Sequence, residues 1–370
     1  MARPRKLLIN GRFLGGDPTA VNNVARDLSL ALHARHANGQ SDWPVEILVP
    51  RDLELSAHST GIPIRVVGRR RGIFWEQLDL PTQRNTGVIA GFFNTVPLRG
   101  TGYVTMLHDA HVFSTPESFG RATRVWRQLL SRRAGAPGNH LLTVSEYSRD
   151  ALLRHEIGAP DRIGIAPNGL GPIGHCAPEP AIFERLGLPD NASYCIAVSS
   201  LLPHKNIPTL LRAFENPALE GTLLVLVGGT SRLAFTESGH APGENTIFTG
   251  FIDDAELAAL YDRSLAVCVP STEEGFGLPA LEAMARGTPP VISPNGALPE
   301  VVGSAGLIAQ ADDPEDWAVQ IVRLRDDPVL RQKLSQDATV RSRLFSWDAA
   351  AERAIDHLDR WFAPVDGQDR

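Results

Sequence analysis

The chain contains 370 residues, which is enough for two domains of ordinary size. Hydrophobic residues make up 43% of it, charged residues 21%, and the formal net charge is −6. This composition is that of a globular protein with well-developed cores, and it disfavours a chain that is basic throughout and built to bind nucleic acid.

In the first half of the chain, short apolar segments alternate with helical patterns. Such alternation is typical of βαβ units, whose strands form a parallel sheet. The predicted strands are Lys6–Ile9, Glu46–Val49, Gly87–Ile89, Val104–Leu107 and Leu141–Val144. The predicted helices are Ala20–His36 with Thr19 as N-cap, Phe119–Ala134, and a helix that starts with Ser145–Arg154 and is capped by Ser145.

A stretch rich in proline and glycine, Ala166–Pro180, breaks this pattern and predicts an interdomain linker. The alternation then resumes. The predicted strands are Tyr194–Ser199, Leu223–Val227, Thr246–Thr249, Leu265–Val269 and Pro290–Ser293. The predicted helices are Ile207–Glu215, Asp254–Arg263 with a capping box of Asp253 and Glu256, Leu278–Arg286, Pro314–Leu324, and an amphipathic helix from about Trp347 to Phe362.

The sequence therefore predicts an α/β protein with two doubly wound, Rossmann-like domains. We assign residues 1–172 to an N-terminal domain and residues 173–346 to a C-terminal domain. The last helix, at about residues 347–365, is expected to pack back on the first domain. In open parallel sheets, ligands bind beyond the carboxyl ends of the strands, so two such domains are expected to face each other across a cleft.

The cysteines and the N-terminus bear on the cellular compartment. Cys176, Cys195 and Cys268 lie far apart, which disfavours a disulfide framework or a CxxC metal site. Reduced cysteines are typical of the cytosol. The apolar segment Leu7–Ile9 is too short for a signal sequence or a membrane span. We therefore expect a cytoplasmic protein, with the inner face of the membrane as a further location.

The strongest local signal lies in Pro270–Glu282, where a glycine-bearing loop joins an apolar strand to a helix. Gly275 and Gly277 allow the backbone to approach a ligand closely, and the N–H groups at a helix start suit a diphosphate. Glu274 can accept hydrogen bonds from sugar hydroxyls, and Glu282 can bind ribose hydroxyls. The alternative is a surface loop with two solvated carboxylates before an ordinary helix.

This segment resembles the Glu-x7-Glu motif of retaining glycosyltransferases with the GT-B fold, in particular the large family 4. Other segments resemble that family in the same order along the chain. They are Trp75–Leu78 with Leu80–Pro81, Thr143–Ser148, Pro167–Gly169, Ser199–Asn206, and Thr249–Phe251 followed by Leu257–Tyr261. Each segment alone is a weak signal, and their order and spacing together carry the resemblance.

The resemblance implies that the second domain, residues 173–346, binds a nucleotide-sugar donor and that the first domain, residues 1–172, lies on the acceptor side. The residues it assigns to donor binding are Ser200, Lys205, Phe251, Glu274, Gly275, Phe276, Gly277, Leu278 and Glu282. Lys205 would neutralise the diphosphate and, with Glu274, act in catalysis; the alternative is a solvated surface lysine. The chain departs from many relatives at Ser200 and His204, where they carry basic residues, and this puts more of the diphosphate binding on Lys205 and backbone N–H groups.

His108 and Asp109 follow the predicted strand Val104–Leu107 and resemble the histidine–aspartate pair of the family. The resemblance puts the histidine near the transferred sugar, where an imidazole could donate a hydrogen bond to a hydroxyl or help to position the acceptor. Both residues are therefore catalytic candidates. The alternative is a packed or surface histidine, and nearby His111 has no comparable support.

The loop after the first predicted strand contains Gly15 and Gly16, followed by Thr19 and Ala20. The family has a glycine-rich turn here that approaches the donor phosphate. In one subgroup a glycine is expected where this chain has Ala20. We retain these four positions as a candidate phosphate or acceptor loop.

Arginines are concentrated in the predicted helix Phe119–Ala134. Arg121, Arg124 and Arg127 recur every three residues and therefore share a face. Such a face suits an anionic membrane or an acceptor pyrophosphate, and equally the solvated side of a core helix. The short basic run Arg69–Arg71 has the same ambiguity.

The resemblance implies transfer with retention at the anomeric carbon by a front-face route, in which the leaving phosphate helps to deprotonate the acceptor. Lys205 and the helix start near Gly277 would stabilise the leaving diphosphate electrostatically. No DxD-like pair follows a predicted strand, so we expect no metal and no other cofactor. The expected donor is GDP-mannose, ahead of UDP-sugars and dTDP-rhamnose, and the expected acceptor is a polysaccharide or a lipid-linked oligosaccharide.

Other functions stay open on the sequence. A nucleotide-sugar epimerase on the same architecture would bind a similar donor and need no acceptor. An NAD-dependent dehydrogenase is disfavoured because no GxGxxG follows the first strand. An inactive sugar- or partner-binding protein is disfavoured by Glu274, Glu282 and Lys205, while Ala20 and Ser200 keep it open.

Overall fold

The computed structural model describes residues 5–15, 19–53, 61–198, 200–229, 231–239 and 242–363. The chain divides into two compact units. Unit 1 comprises Met1–Gly169 together with Ser346–Arg370, and unit 2 comprises Leu170–Phe345. The division falls inside the predicted linker Ala166–Pro180, shortly before residue 172, where the sequence put it.

Unit 1 is built on a 7-stranded sheet whose paired strands all run parallel. The strands are β1 (Leu7–Asn10), β2 (Val45–Val49), β3 (Ile64–Val66), β4 (Val88–Gly91), β5 (Val104–Met106), β6 (His140–Thr143) and β7 (Ile163–Ile165). Their order is β3-β2-β1-β4-β5-β6-β7. The first strand is therefore central, and Leu7 pairs with Val45 on one side and Val88 on the other. Burial of both faces explains its apolar sequence.

Five α-helices in the first segment of unit 1, within its described residues before Gly169, cover this sheet. They are α1 (Ala20–Ala37), α2 (Gly72–Phe74), α3 (His111–Ser114), α4 (Arg121–Ala134) and α5 (Glu146–Arg154). The predicted caps are confirmed, because Thr19 accepts a hydrogen bond from the N–H of Asn22 and Ser145 accepts one from the N–H of Ser148.

Unit 2 repeats the architecture with a 6-stranded parallel sheet. Its strands are β8 (Ser193–Val198), β9 (Thr222–Val227), β10 (Thr246–Gly250), β11 (Ala266–Val269), β12 (Pro290–Ile292) and β13 (Leu307–Ile308). Their order is β10-β9-β8-β11-β12-β13. Buried side chains form a core on each face of this sheet, with Tyr261 and Met284 in one and Trp317 in the other.

The helices of unit 2 flank its sheet. They are α6 (Ala181–Arg185), α7 (Ile207–Ala213), α8 (Arg232–Glu237), α9 (Asp254–Arg263), α10 (Leu278–Ala285), α11 (Leu298–Val302), α12 (Pro314–Asp326) and α13 (Pro328–Ser342). The predicted capping box at the start of α9 is confirmed, with reciprocal hydrogen bonds between Asp253 and Glu256.

The last helix, α14 (Trp347–Trp361), belongs to unit 1. It packs along α1, where Arg35 pairs with Asp348 at 2.8 Å. The indole N–H of Trp43 donates to Asp359 at 3.0 Å, which ties the helix to the loop before β2. The buried face of α14 carries small residues, among them Ala351.

The predicted strands and helices are present, with ends that shift by a residue or a few. Ser199, the predicted end of β8, lies outside the described residues. The sequence patterns missed short edge strands, which are β3, β7 and β13, and several short or polar helices, which are α2, α3, α6, α8, α11 and α13. These strands are too short to show alternation, and the polar α13 lacks a continuous apolar stripe.

Candidate functional site

The strand order of unit 2 determines where its ligand site lies. In a doubly wound sheet, ligands bind beyond the carboxyl ends of the strands, at the position where the order reverses. In unit 2 this position lies between β8 and β11. Lys205 lies in the loop after β8 and Glu274 in the loop after β11. The topology thus brings together two candidates that are 69 positions apart in sequence.

Lys205 and Glu274 form an ion pair. The ammonium nitrogen lies 2.8 Å from Oε2 and 3.1 Å from Oε1 of the carboxylate. The two side chains are only 23% and 12% exposed, so water screens the pair less than it screens a surface pair. Lys205 therefore has a counter-charge in this state, and a bound diphosphate would compete with the carboxylate of Glu274 for it.

The backbone around Glu274 requires glycine at two positions, one in its own loop and one in the loop after β12. Gly277 has φ +99°, and a Cβ atom there would lie 2.6 Å from the Cδ2 atom of Leu298. Gly296 has φ +67°, and its Cβ would lie 2.5 Å from the backbone nitrogen and oxygen of Glu274. The N–H of Ala297 donates to the carbonyl of Glu274 at 2.9 Å. The backbone of Glu274 is thus fixed, and α10 begins directly after Gly277.

Asn206 joins the two loops. Its backbone lies in the left-handed region, with φ +52°, which asparagine tolerates better than most residues. Its side-chain amide donates to the carbonyls of Pro270 at 3.1 Å and Ala311 at 2.6 Å. In addition, the N–H of Thr272 donates to the carbonyl of His204 at 2.8 Å. Asn206 thus positions Lys205. The sequence patterns did not assign this role, and the only signal for it was the position of Asn206 next to a lysine at a strand end.

Glu282 lies half-buried in α10, with its Oε2 atom 3.5 Å from the hydroxyl of Tyr261. Burial, reinforced by the charge of Asp254, raises the pKa of Glu282 from 4.5 to about 8, against the opposing hydrogen bond from Tyr261. The carboxyl group therefore carries a proton at neutral pH in this state and can donate as well as accept a hydrogen bond.

The two aromatic candidates of unit 2 have different environments. The side chain of Phe251 is 88% exposed and its ring lies against Gly229, at the carboxyl end of β9. It is available for contact with a flat ligand group. Phe276 is 5% exposed and packs edge-on against Phe345, with 5.6 Å between ring centroids. Its ring supports the loop, so any contact with a ligand would come from its backbone.

The remaining donor candidates lie on the same loops. Ser200 follows β8 and is partly exposed. Gly275 is buried, and Leu278 is a partly exposed residue in the first turn of α10. These positions agree with backbone contact to a ligand, and their assignment stays a prediction.

In unit 1, His108 lies directly after β5 and is 7% exposed. The Nε2 atom of its ring lies 2.9 Å from the carbonyl oxygen of Phe92, and its backbone N–H donates to the side-chain oxygen of Asn94 at 3.0 Å. A carbonyl only accepts, so Nε2 carries the proton. Burial lowers the pKa of His108 and keeps the ring neutral. The expected donor role is therefore not open to the ring, and Nδ1 can only accept.

Asp109 turns toward His111. Its Oδ1 atom accepts the N–H of His111 at 3.0 Å, and its Oδ2 atom lies 3.7 Å from the Nδ1 atom of that ring. Burial opposes ionisation of Asp109, but His111, whose backbone N–H it accepts, together with His108 and Arg127 outweighs burial, so the pKa of Asp109 is lowered. Asp109 is thus an ionised carboxylate, and its catalytic role stays a prediction.

The candidate loop before α1 is only partly described. Gly16 lies outside the described residues. Gly15 is exposed at the end of the preceding helical turn, and Thr19 and Ala20 are exposed at the start of α1. The hydroxyl of Thr19 caps α1, which gives this residue a structural role independent of any phosphate.

The basic helix α4 presents part of its arginine face to solvent. Arg121 and Arg127 are exposed, while Arg124 is partly buried. Val125 lies between Arg124 and Arg127, Leu129 follows Arg127, and their side chains are 62% and 47% exposed. The helix carries no acidic residue. Among the described helices, none has both the length and the apolarity needed to cross a bilayer.

Comparisons with known proteins agree with this architecture. The family described as "Glycosyl transferases group 1" matches residues 178–341. The MMP alpha-(1->4)-mannosyltransferase of Mycolicibacterium hassiacum is 31% identical over 355 residues, covering 87% of this chain and 82% of that protein. The O-antigen chain mannosyltransferase B of Escherichia coli is 28% identical over 274 residues, covering 70% and 71%.

A solved structure shares the fold over the whole chain. Sucrose-phosphate synthase from Thermosynechococcus elongatus matches with a TM-score of 0.72 at 21% identity, covering 97% of this chain and 99% of that one. The two parallel α/β units therefore form the GT-B architecture that the sequence predicted. With its extended identity to a mannosyltransferase, the chain belongs to the glycosyl transferases of group 1 and is a glycosyltransferase that uses a nucleotide-sugar donor.

Proposed function

We propose that this enzyme transfers a hexosyl group with retention at the anomeric carbon, and that its donor is GDP-mannose. The observation that carries the proposal is the contact of Lys205 with Glu274 where the strand order of unit 2 reverses. This arrangement offers a cation to a diphosphate and a carboxylate to the hydroxyls of the attached sugar. The choice of mannose is supported by two relatives that are named mannosyltransferases.

The chemistry follows from the charges of the site. A bound diphosphate competes with Glu274 for Lys205, and the carboxylate then accepts hydrogen bonds from the donor sugar. The bond from the anomeric carbon to the diphosphate oxygen breaks as the acceptor hydroxyl oxygen bonds to that carbon on the same face. The proton of the acceptor passes to the leaving phosphate. Lys205 and the N–H groups near Gly277 stabilise the charge that develops on the diphosphate.

We propose further that this reaction needs no metal ion. Lys205 and the start of α10 supply positive charge where a divalent cation would otherwise offset the diphosphate. We expect the transfer rate to be the same in EDTA and in added Mg²⁺ or Mn²⁺. A rate that falls at least tenfold in EDTA and returns with either cation would contradict metal independence.

We propose that the acceptor is a polysaccharide or a lipid-linked oligosaccharide and that the enzyme acts at the cytoplasmic face of a membrane. The support comes from α4, whose arginines flank the exposed Val125 and Leu129 with no acidic residue between them. We expect the protein to sediment with phosphatidylglycerol vesicles and not with phosphatidylcholine vesicles. Replacement of Arg121, Arg124 and Arg127 by Gln should abolish sedimentation.

A matched control is the pair Arg331→Gln and Lys333→Gln on α13 of unit 2, which should leave vesicle binding unchanged. If the triple variant binds the vesicles as well as the wild type does, the membrane role of α4 is wrong. If it instead weakens only the use of a diphosphate-linked acceptor, the face binds acceptor pyrophosphate.

The donor is tested by calorimetry with GDP, UDP, dTDP and ADP. We expect GDP to bind most tightly, in the micromolar range, and Glu282→Ala to weaken it by at least about tenfold, or about 1.4 kcal/mol. The exposed Glu220→Ala is the control. If another nucleoside diphosphate binds more tightly, the donor carries that nucleotide and not GDP. If none of the four binds, the proposal of an active transferase is wrong. Conversion of GDP-mannose into an epimer without an acceptor would favour the epimerase alternative.

A further inference from the structure

Unit 1 has a strand-order reversal of its own, between β1 and β4. Ligands bind beside such a reversal in doubly wound sheets. Arg12 follows β1, and Phe93 follows β4. A cavity of about 390 Å³ lies there, and the residues that line it include Arg12, Phe13, Asn22, Asp52 and Phe93. Gly15, from the candidate phosphate or acceptor loop of the sequence analysis, also lines it, whereas the sequence patterns did not single out the other five.

A buried carboxylate holds Arg12 in place. Glu76 is 1% exposed, and its Oε2 atom accepts from the Nη1 of Arg12 at 2.8 Å and from the side chain of Asn10 at 3.0 Å. Its Oε1 atom accepts from Thr95 at 2.5 Å and from Gln77 at 3.0 Å. A buried ion is costly to accommodate, and this one is fully hydrogen-bonded, so the orientation of Arg12 is strongly specified.

The rest of the guanidinium is left for another partner. Within the described part of the chain, Nη2 and Nε of Arg12 make no hydrogen bond, and the side chain is 28% exposed. The guanidinium lies over Phe93 at 5.8 Å from the ring centroid, and Phe93 meets Phe13 edge-on at 6.0 Å. Donors fixed beside aromatic rings suit a sugar, which presents hydroxyl groups at its edge and C–H groups on its face.

The charge balance restricts the ligand further. The charge of Arg12 is offset by Glu76 behind it, and Asp52 adds a negative charge to the described lining. A phosphate would find no surplus positive charge here, whereas hydroxyl groups would find both donors and acceptors. We infer that this cavity is the acceptor site and that Arg12 recognises an uncharged sugar ring there. The inference rests on the proposed function, because a glycosyltransferase needs an acceptor besides its donor.

The test is direct binding to the full-length chain saturated with GDP, followed by saturation-transfer NMR. The probes are the methyl α-glycosides of mannose, glucose and galactose, with mannose 6-phosphate and glucose 6-phosphate as anionic counterparts. We expect at least one neutral glycoside to bind, and Arg12→Gln to weaken it at least tenfold. Arg12→Lys should restore little, since an ammonium lacks the planar fork. The exposed Arg84→Gln on the same unit is the matched control and should bind as the wild type does.

The outcomes separate this inference from the donor assignment. Affinity for GDP, which depends on unit 2, should stay within twofold in Arg12→Gln and also reports that the variant is folded. The inference is wrong if no neutral glycoside binds, if Arg12→Gln binds it unchanged, or if a phosphorylated sugar binds more tightly through Arg12. If the wild type does not bind GDP, the proposed donor is wrong instead. Binding of the glycosides to the chain without GDP would then still test the cavity.

Discussion

The protonated state of Glu282 leads to a prediction about stability and pH. This half-buried carboxyl group has a pKa of about 8 in the folded chain, against 4.5 ordinarily, so the folded state retains a proton that the unfolded state releases. Stability must then fall as pH rises, starting above pH 4.5 and ending above about pH 8. Glutamine has nearly the same shape and no charge, so Glu282→Gln removes this loss.

The size of the effect follows from the pKa difference. At about 1.36 kcal/mol for each pKa unit, a rise from 4.5 to about 8 corresponds to an upper limit of about 5 kcal/mol. The side chain of Glu282 is only half-buried, and solvent screening reduces the expected value to about 2 kcal/mol. Relative to the wild type, Glu282→Gln should therefore gain about 2 kcal/mol of unfolding free energy between pH 5.5 and pH 9.

The assay is urea unfolding of both chains at pH 5.5 and pH 9 without nucleotide, followed by circular dichroism. The exposed Glu220→Gln is the control and should keep the pH dependence of the wild type. If the difference between wild type and Glu282→Gln is the same at both pH values, then Glu282 does not hold a proton in the folded state and the reasoning fails.

Three further predictions concern the same unit. Lys205→Ala should lower kcat at least tenfold with a smaller change in KM, because the diphosphate charge develops in the transition state. Steady-state kinetics measures both constants, with the exposed Lys333→Ala as control. A change in KM alone would contradict this role of Lys205. Gly277→Ala should lower the free energy of unfolding in urea by about 2 kcal/mol, since φ is +99° and a leucine methyl lies 2.6 Å from the added carbon. The control is Gly171→Ala, whose added carbon meets nothing within 4 Å and should leave that free energy unchanged. Asp253→Ala removes the capping box of α9 and should cost about 1 kcal/mol in the same assay; an unchanged midpoint would show that the cap is dispensable.

Local signals in the sequence were sufficient to predict most of the strands, helices and caps of this protein. The alternation of apolar strands and amphipathic helices depends on neighbouring residues, so it predicted two α/β domains and most of their elements. Capping by Thr19, Ser145 and Asp253 is equally local, and the structure confirms it. The motif from Pro270 to Glu282 is contiguous, which is why its strand, glycine loop and helix could be predicted together.

Contacts between distant segments were decided only by the tertiary structure. The pairing of Lys205 with Glu274 depends on β8 and β11 being neighbours, and no local pattern specifies strand order. The raised pKa of Glu282 likewise depends on burial. The fixed Arg12 results from a carboxylate 64 positions away, Glu76, whose other partners include Asn10 of β1 and Thr95 after β4. Sequence periodicity reports which face of an element is buried, whereas strand order determines which side chains meet at the end of the sheet.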